Sequence, residues 1–282
     1  MPIIHTIAEC RSFTANEHNE GHTIGLVPTM GALHEGHLSL MRRARAECDA
    51  VVASVFVNPT QFGPSEDFAR YPRDLERDAQ LAAGTGVDAV FAPSAAEMYP
   101  AGFATFVEQS APVAERLEGQ CRPGHFRGVL TVCLKLFNIV GPDRAYFGRK
   151  DYQQALVITR MVRDLDLPLE IIRCDTVREP DGLALSSRNQ YLDEATRRQA
   201  LSISRGLGRA RGAAAAGERR AAALAEIIRA ELLAAGPCSI DYVDIADPDT
   251  LAPVETLDGP AVALVAVRIG GTRLIDNCLL EP

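Results

Sequence analysis

The chain has 282 residues, 47% of them hydrophobic and 23% charged, with a formal net charge of -8. That length can bury one large core or two ordinary ones, and the acidic balance argues against a protein that works by wrapping nucleic acid, while leaving room for a local basic cleft. No apolar run approaches a membrane-spanning length and the start MPIIHTIAEC lacks a secretory pattern, so a soluble cytoplasmic protein is expected, with no nucleic-acid or membrane partner. Seven dispersed cysteines with no CxxC pair read as reduced small hydrophobes.

The first twenty residues should form a short strand and a helix closing over a sheet edge. Residues 23–27 are apolar and partly β-branched, an internal strand that Pro28 is expected to stop. Met30 and Gly31 begin a loop of small residues, and from about Gly36 the stripe Leu38, Met41, Ala44 and Cys48 predicts a helix. His34 and His37, three apart at its first turn, can point into one crevice beside free N–H groups that attract anions. The pair is open to three readings: a polyphosphate site, a zinc site wanting a third ligand, or two surface histidines.

Residues 51–57 are a second buried strand, and the two strands with their helix form a right-handed βαβ unit. Asn58 and Gln61 follow its carboxyl end, where open α/β sheets bind ligands, and they offer neutral donors and acceptors to a small substrate. A plain Asn-Pro turn capped by Asn58 is the alternative. Residues 74–83 predict an amphipathic helix capped by Asp74, with Asp78 either facing the cleft to help hold magnesium or lying on a solvated face. A third strand over 87–92, a capping box from Ser94 to Glu97, an extended edge segment over 103–107 and a short helix over 112–117 come next. The glycine-spaced stretch 118–128, with Arg122, His125 and Arg127, reads as a basic loop that clamps a charged ligand or merely bridges elements.

An apolar helix over 129–140 leads to a strand over 144–147 and then to Gly148, Arg149, Lys150 and Asp151 ahead of a helix over 155–162. In this second strand-glycine-helix unit Lys150 can reach phosphate oxygens and Gln154 can face a small substrate. A fifth strand over 169–174 is followed by Ser186, Ser187 and Arg188, whose hydroxyls and guanidinium suit a triphosphate. From Asp193 a long alanine- and arginine-rich helical stretch breaks near Gly217. Runs over 239–246, 261–268 and 272–279 then predict a small antiparallel sheet with a hairpin at Gly270 and Gly271. The expected fold is α/β, a Rossmann-like parallel-sheet domain over 1–176 with a smaller α+β domain over 177–282. Polar clusters after strand ends, without a P-loop, a dinucleotide fingerprint or a serine triad, point to direct attack on a nucleotide phosphate.

Five motifs sharpen this reading: PTMGALHEGH at 28–37, FVNPTQF at 56–62, YPR at 71–73, FGRKDYQQ at 147–154 and DGLALSSRNQYL at 181–192. Together, and in this order, they resemble the pantoate–β-alanine ligase family of the nucleotidylyltransferase superfamily. His34 and His37 match its HxGH-type signature, and Ser186 to Arg188 stand where related enzymes carry a mobile KMSKS-like loop. The resemblance implies ATP-dependent condensation of (R)-pantoate with β-alanine through a pantoyl adenylate, releasing AMP and pyrophosphate, with Mg2+, in a cytoplasmic homodimer. It implies ATP against Met30, Gly31, His34, His37, Gly148, Lys150, Asp151, Val177, Leu185, Ser186, Ser187 and Arg188, with the smaller domain closing over that site. Pantoate would lie against Gln61 and Gln154, and β-alanine near Gln61 and Asn58. Catalysis would fall to His37, His34, Lys150, Arg188, Ser186 and Ser187. Arg149 departs from the pattern, standing where the family's GEKDYQQ carries an acid, and Gly124 and Arg127 depart in the 118–128 stretch. Rival readings are a nucleotidylyltransferase that leaves the adenylyl group on its product and a nucleotide-binding regulator without catalysis.

Overall fold

The computed structural model describes residues 1–64 and 66–281. They fall into two compact units: 1–110, 118–149 and 154–175 make up the first, and 111–117, 150–153 and 176–282 the second. In chain order the elements through the first sheet are β1 (Ile3–Ile4), α1 (Ile7–Asn19), β2 (Ile24–Thr29), α2 (Glu35–Glu47), β3 (Ala50–Val55), α3 (Leu75–Ala83), β4 (Ala89–Phe91), α4 (Ala95–Met98), α5 (Pro112–Glu115), α6 (Glu118–Cys121), α7 (His125–Val140), β5 (Arg144–Gly148), α8 (Tyr152–Asp164) and β6 (Glu170–Cys174).

The six strands form one parallel sheet in the order β1-β4-β3-β2-β5-β6. The chain builds outward from β2 to one side, then returns to lay β5 and β6 on the other. That reversal puts a topological switch point between the carboxyl ends of β2 and β5, the place where such sheets open a ligand crevice. Leu40, Met41 and Ala44 of α2 and Ala82 of α3 pack with Val27, Val51 and Val90 in one apolar cluster. The burial of this stripe, rather than intrinsic propensity, is what holds the arginine-rich α2 in place.

Pro28 does not stop β2, which continues to Thr29 with Pro28 opposite Ser54 of β3. Thr29 faces β3, since its carbonyl accepts the Phe56 amide at 3.1 Å, so its neighbour Pro28 faces β5. The register with β5 ends at Leu26, and the missing N–H of Pro28 therefore costs no ladder bond. The expected edge segment over 103–107 is not a strand: Val107 N donates to Thr131 Oγ1 at 2.9 Å and Arg127 lies over the Phe106 ring, 3.9 Å from its centroid. Side chains of α7 satisfy this segment instead of a ladder. The 118–128 stretch is likewise no open loop, because α6 and the first turn of α7 occupy most of it.

The second unit carries α9 (Glu194–Ala215), α10 (Ala221–Ala234) and an antiparallel sheet of β7 (Ser239–Ala246), β8 (Ala261–Ile269) and β9 (Thr272–Leu280), with β8 in the centre. Asp193 caps α9 by accepting from Thr196 N. Ile203, Leu207, Leu224 and Ile228 of the helices pack against Ala263, Val265 and Val267 of β8. Gly270 and Gly271, at φ 54 and 81, make the two-residue turn between β8 and β9, a conformation that glycine adopts without a Cβ penalty. Among the described residues no helix is long and apolar enough to cross a membrane.

Candidate active site

At the carboxyl end of β2 the chain enters a tight loop fixed from a distance. Gly31 has φ 81, its amide donates to Thr29 Oγ1 at 3.1 Å, and an added Cβ would sit 2.8 Å from Asp78 Oδ2. Asp78 is 1% exposed, and its two oxygens accept the Ala32 and Leu33 amides, each at 2.8 Å. Both expectations for Asp78 are therefore corrected. It is not solvated, and a buried carboxylate occupied by two backbone donors anchors the loop, a geometry that argues against a magnesium ligand. Burial, opposed by the Leu33 and Ala32 amides, pushes its pKa above the ordinary value.

The anchored loop delivers His34 to the N-cap of α2 and His37 to its first turn. Their rings stack with centroids 4.0 Å apart and planes at 25°, and His34 N donates to His37 Nδ1 at 3.4 Å. Two imidazoles thus stand at the amino end of a 13-residue helix, where unsatisfied amides and the helix dipole favour an anion. Among the described residues the one group of three His, Cys, Asp or Glu side chains spaced for a metal is Glu17, Glu20 and His22, at the end of α1. That group does not include His34 or His37.

Past β3, Asn58 caps the 3-10 turn Pro59–Gln61. Its Oδ1 accepts from Tyr99 Oη at 2.7 Å and Thr60 Oγ1 at 2.9 Å, and its Nδ2 donates to Gln61 Oε1 at 2.9 Å and to the Gly128 carbonyl at 3.1 Å. With both ends of its amide bonded inside the protein, Asn58 holds the Gln61 side chain in place. Accepting from Asn58 orients the Gln61 amide, whose Nε2 lies 3.2 Å from Met30 Sδ. Gln61 is thereby tied to the loop that carries the histidines.

The Gln61 backbone is held as well. Arg122 can only donate, so its Nη1, 2.9 Å from His125 Nε2, makes that nitrogen an acceptor and leaves the proton on Nδ1, which donates to the Gln61 carbonyl at 2.9 Å. Arg122 also forks onto Glu66 through two bonds of 2.7 Å. Burial, helped by the Arg122 charge, lowers the His125 pKa to about 4, so this imidazole is neutral at pH 7. Sequence reasoning missed this clamp, though one signal was available: His125 and Gly128 are three apart and share a helical face.

Gly148 closes β5 across the switch point, and Arg149 pairs with Asp175 at 2.9 Å. The familiar acid's place is thus taken by an arginine engaged elsewhere. Gln154 lies in α8, partly buried.

The second unit holds the remaining sequence-predicted residues. Lys150 Nζ is 3.7 Å from Asp151 Oδ1. Val177 and Leu185 face each other in a hairpin, Leu185 N donating to Val177 O at 3.0 Å. Ser186 then caps the 3-10 turn Ser187–Tyr191 by accepting from Arg188 N at 3.3 Å. Arg197 braces this region, donating to Glu179 Oε2 at 2.6 Å and Asp181 Oδ2 at 2.7 Å.

A parallel sheet with a switch point, a histidine-bearing helix N-terminus beside it and a locked glutamine define an α/β enzyme of the Rossmann-like, nucleotide-binding class. The family model described as pantoate-beta-alanine ligase matches residues 2–279. A pantothenate synthetase of Moorella thermoacetica is 60% identical over 281 residues, covering 100% of this chain and 99% of its own. A crystal structure of pantothenate synthetase from Thermus thermophilus matches with TM-score 0.95 at 50% identity over the full length of both chains. A pantoate-beta-alanine ligase from Francisella tularensis, described as complexed with β-γ ATP and β-alanine, matches with TM-score 0.81 at 37% identity over 99% of this chain and 97% of that one. The chain belongs to the pantoate–β-alanine ligase family, and its activity is the ATP-dependent ligation of pantoate and β-alanine to pantothenate.

Proposed function

We propose that the ligation runs through a pantoyl adenylate. A pantoate carboxylate oxygen attacks the α-phosphorus of ATP, the bond to the β-phosphate oxygen breaks, and pyrophosphate leaves with the electron pair. The β-alanine amine then attacks the acyl carbon and loses a proton, and the C–O bond to the phosphate breaks to release AMP. The reading is carried by one arrangement: stacked imidazoles at a helix N-terminus, on a loop tied through Met30 to a buried glutamine whose amide is oriented by Asn58.

In this scheme Gln61, with Gln154, binds the pantoate oxygens, because a carboxylate and a hydroxyl both accept from the N–H groups that Asn58 turns outward. His34, His37, Lys150 and Arg188 donate to phosphate oxygens as charge builds toward the leaving pyrophosphate, with Ser186 and Ser187 as neutral donors beside them. Met30, Gly31, Gly148, Asp151, Val177 and Leu185 border the nucleotide. The small residues among them let backbone approach the phosphates closely. Mg2+ bound with ATP would supply positive charge to the phosphates. Asp78 has both oxygens on amides and does not fit as its ligand. Seven free cysteines accord with a reducing cytoplasm, and the family resemblance supports a homodimer.

Exchange of labelled pyrophosphate into ATP, with pantoate but without β-alanine, isolates the first step. The purified protein should catalyse it, and His37→Asn should lower its rate by about 10²–10³-fold, the loss expected for one transition-state donor. Exchange that needs no pantoate, or none at all with pantoate present, would overturn the adenylate.

A further inference from the structure

Resting on that reading of Lys150 and the Ser186–Arg188 turn, we infer that the dipeptide Asp276-Asn277 of β9 is a positioning device for the phosphate-directed residues of the second unit. The starting observation is a break in pattern. Along β9, Leu274, Cys278 and Leu280 pack into the apolar cluster under α9 and α10. Strand alternation places Asp276 on that same face, and it pairs directly with Val265, a member of the cluster. Asp276 is 4% exposed. A carboxylate set into an apolar stripe is costly unless fully paired, and a hydrophobic residue there would serve packing at least as well.

The pairing is bidentate and reaches one particular segment. Arg178 Nη1 donates to Asp276 Oδ2 at 2.6 Å and Nη2 to Oδ1 at 3.0 Å, while Nη1 also reaches the Gly182 carbonyl at 3.2 Å. Arg178 follows Val177 and bridges Ala184 across the short hairpin, so Asp276 fixes the hairpin that delivers Ser186, Ser187 and Arg188. Asn277 points to the opposite face of the sheet, as its neighbour must. There its Nδ2 donates to the Lys150 carbonyl at 2.9 Å, and its own amide is turned onto Asp276 Oδ1 at 2.8 Å. Two adjacent residues with opposed side chains therefore hold both phosphate-directed segments of this unit to one rigid strand. A site on a sheet keeps its geometry better than one on free loops, and a displacement near 1 Å costs up to about 10²-fold in rate.

The test uses the whole chain as wild type, Asn277→Ala, Lys150→Ala, the double variant and Asn277→Asp, with Leu279→Ala on the same strand as a neutral control. Pantoate-dependent pyrophosphate exchange should fall roughly tenfold in Asn277→Ala, in the rate at saturating ATP. The double variant should be no slower than Lys150→Ala alone, because Asn277 acts through Lys150. Asn277→Asp, which keeps the shape but turns an acceptor toward the Lys150 carbonyl, should lose as much and retain its circular dichroism spectrum. Independent, multiplicative losses in the double variant, or exchange at the wild-type rate in Asn277→Asp, would overturn the inference. Absence of exchange in the wild type, or Lys150→Ala exchanging at the wild-type rate, would instead overturn the parent reading, so the two failures are distinguishable.

Discussion

Asp78 accepts the Leu33 amide at 2.8 Å across 45 residues of sequence, and with the Ala32 amide it turns the loop before α2 into a fixed support for two histidines. Replacing Asp78 with Ala removes the carboxylate that accepts both amides, at about 1–3 kcal/mol for each bond lost. Urea denaturation should show a loss of at least about 2 kcal/mol. Pyrophosphate exchange should fall as well, because His34 and His37 lose their bearing. Asp78→Asn should fall between Ala and wild type, since its NH2 group must face one of the two N–H donors.

Gly128 lies where α7 crosses the Pro59–Gln61 turn. A Cβ at this position would run into the Thr60 carbonyl and come within 2.6 Å of Gln61 N, both of them backbone. The helix or the turn must move, and Gln61 with it. Gly128→Ala should cost about 1–3 kcal/mol of stability, the usual penalty of overpacking, and raise the pantoate KM more than the ATP KM. Steady-state kinetics with each substrate varied in turn checks this.

His125 gives the fold a pH dependence of known sign. Its folded pKa, about 4, lies below the ordinary 6.5 because burial disfavours the imidazolium. The unfolded chain therefore takes up a proton first as pH falls. The contribution of neutral His125 is fully present above pH 6.5, declines from there toward pH 4, and changes no further below. Integrated over that window it is on the order of 3 kcal/mol. Urea midpoints of wild type should drop between pH 7 and pH 4.5 by more than those of His125→Asn, which keeps a donor near Nδ1 but does not titrate. Equal slopes for the two proteins would remove His125 as the cause.

Much of this architecture was legible from the sequence because its signals are local. The apolar run before Met30 and the stripe Leu38, Met41 and Ala44 announce a buried strand and a one-faced helix, and Gly270-Gly271 announces a hairpin. The misreadings share a non-local cause. Whether Pro28 ends β2 depends on how far β5 pairs alongside it. Whether Asp78 is solvated depends on amides 46 and 45 residues upstream. Gly128 read as one residue of a glycine-spaced loop and proves to be a point of close approach. Asn58 read either as a substrate contact or as the cap of an Asn-Pro turn, and the turn it caps is joined to Tyr99 and Gly128, 41 and 70 residues away. In each case residue type was informative and the partner was not.

In the proposed reaction the pantoate carboxylate itself takes the adenylyl group. Pantoate labelled with 18O in its carboxylate, turned over with ATP and β-alanine, should yield AMP carrying one 18O in its phosphate, with unlabelled pyrophosphate as the other phosphorus product. Label in inorganic phosphate, accompanied by ADP, would show attack at the γ-phosphorus and contradict the account.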